Sequence, residues 1–390
     1  MNACTKASDA RERTPAGERP MTVSVVIPAH NEEATIRETV ASCLAQTYPL
    51  EQVIVVADNC TDSTVECARA AGAIVIEGKG GSKAAAQNMA LPLVTSALVV
   101  ALDGDATLSA DAVALMVDTI DAGAVGTCPA ALPGDTDTTY SRYRTLYHAI
   151  SNGWVRKLQD VLGRQMVLSG MANCHRMDVL RQCGGFPEDN ITEDFNLTWM
   201  LHRRGHRVAF TEGAFVYTRE PTSLRELLSQ VHRWTSGFAQ SMVKHRAPLH
   251  DASSFVVVAT QVVDGVVGGL ATFSFVPFIA RHGVKALWRW WSVLWVVVSA
   301  ASLGVAVRQV GWRTALKCLP SWFVLQTLIG PLTAWWLVRE WVLGKHLLSW
   351  TGRHGLKADI TPMTARRKLL LFGCAAAAGV AALVNRRTRR

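Results

Sequence analysis

Three carboxylates sit at the ends of apolar runs. Asp58 follows VIVVA, and Asp103 and Asp105 follow LVVAL. In an extended segment residues i and i+2 point the same way, so Asp103 and Asp105 can face one ligand. Gly104 between them lets the backbone turn or approach closely. Two adjacent carboxylates are hard oxygen ligands suited to Mg2+ or Mn2+. A polar turn closing a strand would use the same residues.

A second acidic pair lies in NITEDFNLTWMLHRRG. Thr192 is a fitting helix N-cap and Gly205 a fitting stop, which puts Glu193 and Asp194 in the first turn. Acids there complement the helix dipole. Asp194 at a helix start could equally serve as a general base. Further on, LRELLSQVHRWTSGF spaces Gln230, Arg233 and Trp234 at i, i+3 and i+4, on one helical face. A guanidinium can grip a diphosphate through two parallel bonds, and an indole offers a flat platform for a sugar ring. A packed amphipathic helix with a snorkelling arginine would look similar. Lys83, in GKGGSKAAAQN, adds a cation beside a glycine-rich turn. Neither G-x-G-x-x-G nor G-x-x-x-x-G-K-[ST] occurs, which argues against a dinucleotide fold or a P-loop.

These residues need a frame. From Met21 onward strand and helix alternate: TVSVVIPAHN, EEATIRETVASCLAQ, EQVIVVADN, STVECARAAG, AIVIEG, KAAAQNMALPL, ALVVALDGD. Strands that are apolar throughout, with helices between, predict a parallel sheet covered on both faces. Ligands bind beyond the carboxyl ends of such strands, where Asp58, Asp103 and Asp105 fall. Residues 1–20 are polar, lack a signal-peptide pattern and read as a disordered tail.

Beyond residue 250 the texture changes. The chain has 49% hydrophobic and 18% charged residues and a net charge of +9. Four acids against 17 Lys and Arg from Asp251 onward give that part +13, which leaves the first 250 residues at −4. Basic charge beside apolar runs fits anionic lipid headgroups and argues against nucleic acid. The stretches 254–280, 287–307 and 319–338 are each long enough to span a bilayer, at about 20 residues per span, and 369–384 is a shorter fourth candidate. Most of the 13 tryptophans fall between Trp288 and Trp341, as in an interfacial aromatic belt. Three spans would put the basic loop 339–368 outside, against the positive-inside rule. One stretch is therefore expected to be interfacial or re-entrant, the candidate irregular points being Gly330-Pro331 in the third stretch and Asp264 in the first. The nine cysteines match no zinc spacing and read as reduced, mostly buried thiols.

Taken in order, VSVVIPAHNEE, VADNCTD, KAAAQN, VVALDGD, SGMANCHR, GGFPEDNITED and QVHRW resemble the successive motifs of family 2 glycosyltransferases. The Q-x-x-R-W element at Gln230–Trp234 resembles the processive branch of cellulose, hyaluronan and poly-N-acetylglucosamine synthases. The stretch 190–237 is most similar to the last of these. The resemblance covers 21–245 and implies an α/β GT-A domain over 21–250. A transmembrane region of three to four helices would follow over 251–390. It implies inverting transfer from a UDP-sugar to a glycan acceptor at the plasma membrane, with the catalytic domain cytoplasmic. Asp58 would then contact the nucleotide base, and Asp103 and Asp105 would hold UDP with Mg2+ or Mn2+. Lys83 would help hold the nucleotide, Asp194 beside Glu193 would be the base, Arg233 would bind the diphosphate with Gln230 also among the donor-binding residues, and Trp234 would line the acceptor end. His30 stands where related chains carry tyrosine. So few spans point to a second copy or an export partner for any translocation channel. Transfer of a single sugar and a non-catalytic membrane scaffold are the alternative readings.

Overall fold

The computed structural model describes residues 21–262, 300 and 303–347. The expected alternation is present: β1 (Val23–Ala29), α1 (Ile36–Leu44), β2 (Gln52–Asp58), α2 (Thr64–Ala70), β3 (Ile74–Gly78), α3 (Lys83–Ala90) and β4 (Leu98–Leu102). These strands pair in parallel in the order β3-β2-β1-β4. The apolar character of β1, β2 and β4 follows from burial on both faces, whereas β3 is the edge strand and is only partly buried. Val25 and Ile27 of β1 join Val100 and Leu102 of β4 beneath Ile36 and Val40 of α1. Val26 and Val99 face the other way, against Ala86 and Ala90 of α3. Each such side chain contributes about 1.5–3 kcal/mol when fully buried.

The second half of the sheet is mixed. It is formed by β5 (Ala106–Leu108), β6 (Gly126–Pro133), β7 (Ala172–Arg176) and β8 (Val208–Thr218). Past β4 the order is β7-β6-β8-β5; β7 runs antiparallel to β4 and to β6, and β8 parallel to β6. The intervening helices are α4 (Ala112–Asp121), α5 (Thr139–Ile150), α6 (Arg156–Val161), α7 (Met177–Gln182), α8 (Glu193–Arg203) and α9 (Leu224–His245). A π-helical turn at Ser151–Val155 links α5 to α6.

Later helices include α10 (Ala252–Val262) and α11 (Trp312–Trp341). The stretch 319–338 lies inside α11, which is longer than expected and carries Pro320 and Pro331 in its interior. The irregularity expected at Gly330-Pro331 is absent: the helix runs through. Ile329 and Gly330 are buried against the rest of the chain, and that packing holds the helix across the proline. Among the described residues α11 alone is long and apolar enough to cross a membrane, and 39% of its apolar window is buried. It packs on α5 and α9. Asp264, most of the stretches 254–280 and 287–307, and the stretch 369–384 lie outside the described residues.

Candidate active site

Parallel pairing brings the carboxyl ends of β1, β2 and β4 to one edge. Asp58 is the last residue of β2, and Asp103 follows β4 directly. Asp58 is buried, and its carboxylate accepts the N–H groups of Gly80 at 2.6 Å and Gly81 at 3.0 Å. The glycine-rich turn therefore folds onto Asp58. The Nδ1 of His30 donates to the Asp58 carbonyl at 2.6 Å. Ser82 then caps α3 through its hydroxyl, which makes Lys83 the first helical residue.

Lys83 is the hub of the site. Its Nζ lies 2.5 Å from Asp103 Oδ1 and 3.1 Å from Glu193 Oε1, and donates to the Gly170 carbonyl at 2.7 Å. One cation thus joins the end of β4 to the start of α8. Burial by itself would lower the lysine's pKa, but Asp103 and Glu193 outweigh it and hold the ammonium charged. Burial pushes the Asp103 carboxyl above the ordinary range; Lys83 pulls it down and Asp105 pushes it up. Burial also acts to raise Glu193, yet Lys83 and Arg233 together bring it below its usual value.

Asp194 differs from its neighbour. Its Oδ1 accepts the Phe195 N–H at 2.8 Å and its Oδ2 the Gly170 N–H at 2.9 Å, so both oxygens are oriented. Burial, then the charge of Glu193, push its carboxyl up to about 6. A carboxyl tuned close to neutrality suits proton abstraction better than an ordinary aspartate does. Gly170 is what permits this crowding. A Cβ there would lie 2.9 Å from Asp194 Oδ2 and 3.1 Å from Lys83 Nζ.

Thr192 stands at the N-cap of α8, as expected, but its hydroxyl makes no capping bond. It packs instead on Gly237 of α9, where an added Cβ would come within 2.0 Å of Thr192 Oγ1. That close approach lets α9 lie against the start of α8 and brings Arg233 into the field of Glu193 and Asp194. At the other end α8 stops at Arg203, and Gly205 takes φ +79°.

All nine residues singled out from the sequence line one cavity of about 670 Å³: Asp58, Lys83, Asp103, Asp105, Glu193, Asp194, Gln230, Arg233 and Trp234. The sequence reading missed a second part of the lining. There α5 contributes Tyr143, Arg144, Tyr147 and His148, joined by Glu220. Burial, then the charge of Arg144, push the His148 imidazole well below its usual value. The signal was the repeat YRTLYH, which sets Tyr-Arg and Tyr-His four residues apart on one side of a helix.

Among the described residues no three His, Cys, Asp or Glu side chains group closely enough to enclose a metal. Asp103 and Asp105 supply two hard oxygen donors. Their mutual repulsion in a buried setting fits a divalent cation whose other ligands are phosphate and water.

A family model described as "Glycosyltransferase like family 2" matches residues 20–237. The chain belongs to this family. It is thus a family 2 glycosyltransferase, and the family match with the α/β sheet supports the GT-A fold. A poly-beta-1,6-N-acetyl-D-glucosamine synthase of Staphylococcus aureus (strain COL) is 25% identical over 245 residues, covering 58% of this chain and 59% of the relative. The Staphylococcus epidermidis synthase of the same name is 24% identical over 231 residues, covering 55% and 54%. The chain thus spans little more than half the length of these relatives. Two solved structures are also similar to this family 2 chain. One is the mannosyltransferase PcManGT from Pyrobaculum calidifontis in complex with GDP-Man and Mn2+, with 18% identity, TM-score 0.49, and 78% and 88% of the two chains covered. The other is S. aureus TarS residues 1–349 in complex with UDP, with 17% identity, TM-score 0.43, and 80% and 90% covered.

Proposed function

We propose that the chain is an inverting, membrane-associated glycosyltransferase. In this reading it moves a glucose- or N-acetylglucosamine-type sugar from a UDP donor onto a growing β-linked glycan. The observation that carries the reading is the convergence of Asp103, Asp105, Asp194 and Arg233, distant in sequence, on one cavity that Trp234 also lines. The relatives named as poly-beta-1,6-N-acetyl-D-glucosamine synthases support a polymer product.

The roles follow from the geometry. Asp194, held by two backbone N–H groups and raised to about 6, takes the proton from the attacking acceptor hydroxyl. Arg233 neutralises the departing diphosphate. A divalent Mg2+ or Mn2+, held by Asp103 and Asp105, would supply further charge neutralisation when bound. Lys83 keeps the donor acids and the α8 acids at fixed separation. Direct attack assisted by one base inverts the anomeric centre, so an α-linked donor gives a β-linkage. Trp234 holds the acceptor end.

Membrane attachment is supported by α11. Ala315, Cys318, Trp322, Leu325 and Ile329 are buried, while Leu316, Phe323, Val324, Leu328 and Trp335 are exposed. An exposed apolar stripe of this length suits lipid better than water. The seven described cysteines are free thiols, which suits a cytoplasmic catalytic domain.

The test is a panel of UDP-sugars with purified full-length protein in detergent and Mn2+, followed by mass analysis of products. A ladder of added sugars is expected. A single added sugar would sink the polymerising part of the reading, and absence of UDP release with every donor would sink catalysis.

A further inference from the structure

The cavity lining also carries a cluster built around Arg144. Arg144 on α5 is only 2% exposed, and its Nε donates to Glu220 Oε2 at 3.0 Å. Its guanidinium carbon lies 4.5 Å from the Trp234 ring centroid and 5.0 Å from that of Tyr147. Glu220 is itself fixed, accepting from Thr218 Oγ1 at 3.0 Å. His148 Nε2 sits 3.8 Å from Glu220 Oε1 and has no hydrogen-bond partner among the described residues. Arg144, Tyr147, His148, Glu220 and Trp234 all line the cavity that holds Asp194.

Stability alone is a poor account of this stack. A buried ion pair is often no more stabilising than apolar groups of the same size. What the pair does provide is direction. Glu220 fixes the plane of the guanidinium, and the guanidinium plane fixes the ring lying over it. Trp234 is left only partly buried, with one face covered by Arg144 and the residue still lining the cavity. A ring already held in place loses little freedom when a sugar stacks on it.

We propose that Arg144 is a positioning residue for the acceptor glycan: clamped by Glu220, it presents the Trp234 indole as a fixed platform. This inference rests on the reading of Trp234 given under Proposed function, so the test separates the two. Full-length protein in detergent is titrated, in separate arms, with UDP plus Mn2+ and with a tetramer of β-linked N-acetylglucosamine. Arg144→Gln should weaken tetramer binding about tenfold, about 1.4 kcal/mol, and leave UDP affinity within about twofold. In a Trp234→Ala background Arg144→Gln should have no further effect, because the platform that Arg144 positions is already gone. Glu220→Gln, which keeps size and a hydrogen bond, should give an intermediate loss and serves if Arg144→Gln does not fold. Failure of the unaltered protein to bind UDP would overturn the proposed function. UDP binding without tetramer binding would overturn the Arg144 assignment alone. So would tetramer affinity unchanged in Arg144→Gln, or independent, multiplying losses in the double variant.

Discussion

The Lys83 ammonium stands 2.5 Å from the Asp103 carboxylate, tying the first residue of α3 to the residue that follows β4. The same nitrogen reaches Glu193, so donor-side and base-side acids share one counter-ion. Lys83→Met would leave two partly buried carboxylates facing each other without that cation. The expected cost is about 2 kcal/mol, since a buried charge stripped of its partner keeps its desolvation penalty. Thermal melting should fall by several degrees, and UDP affinity should fall with it. A melting temperature equal to that of the unaltered protein would show that the cation is not structural.

Asp194→Asn should abolish transfer while retaining UDP binding, because a base acts on the proton only in the transition state. At least a hundredfold loss in kcat is expected, on the order of what removing a general base costs. Steady-state kinetics paired with a UDP titration tests both halves of the statement.

The raised Asp194 carboxyl also predicts a pH profile. A base must be ionised to act, and burial with Glu193 nearby lifts this group to about 6. The rate should therefore be flat above that value and fall about tenfold per unit below it. A free aspartate, ordinarily near 3.8, would hold its rate two units further into acid. A profile flat down to pH 4.5 would remove Asp194 from the role.

Gly170→Ala probes the crowding. The new methyl would press on Asp194 Oδ2, Lys83 Nζ and Glu193 Oε1, all within 3.2 Å of it. These are ends of side chains, so the fold should survive while the acids shift. Activity should drop at least tenfold, since a displacement of about 1 Å at a reacting group can cost a hundredfold. Full activity with an unchanged melting temperature would mean the cluster tolerates the shift.

Gly237→Ala tests how α9 is seated. A methyl there would overlap Thr192, and overpacking of this kind costs about 1–3 kcal/mol. Thr192→Gly in the same chain should restore most of the loss by removing the colliding atoms. Absence of rescue in thermal melts would mean the helices are held by other contacts.

Much of this was legible in the sequence, for a physical reason. Strands buried on both faces must be apolar throughout, so β1, β2 and β4 and the helices between them announced themselves. Residues at strand ends and in the first turn of a helix are fixed by local geometry. Asp58, Asp103, Asp105, Glu193 and Asp194 could therefore be named before any contact was known. Gln230, Arg233 and Trp234 were readable from helical spacing alone. The mixed half of the sheet was not readable, because β6 carries two prolines and β7 is short and polar in part. The continuation of α11 through Pro331 depended on packing that no local rule contains. Other relationships join residues far apart in the chain: Lys83 with Asp103, Glu193 and Gly170; Thr192 against Gly237; Arg144 between Tyr147 and Trp234. Such contacts arise from how elements are stacked. The sequence by itself determined which side chains were available and on which face of which element. Only the tertiary structure decided which of them share a cavity and a charge, because burial and distance exist only once the chain is closed on itself.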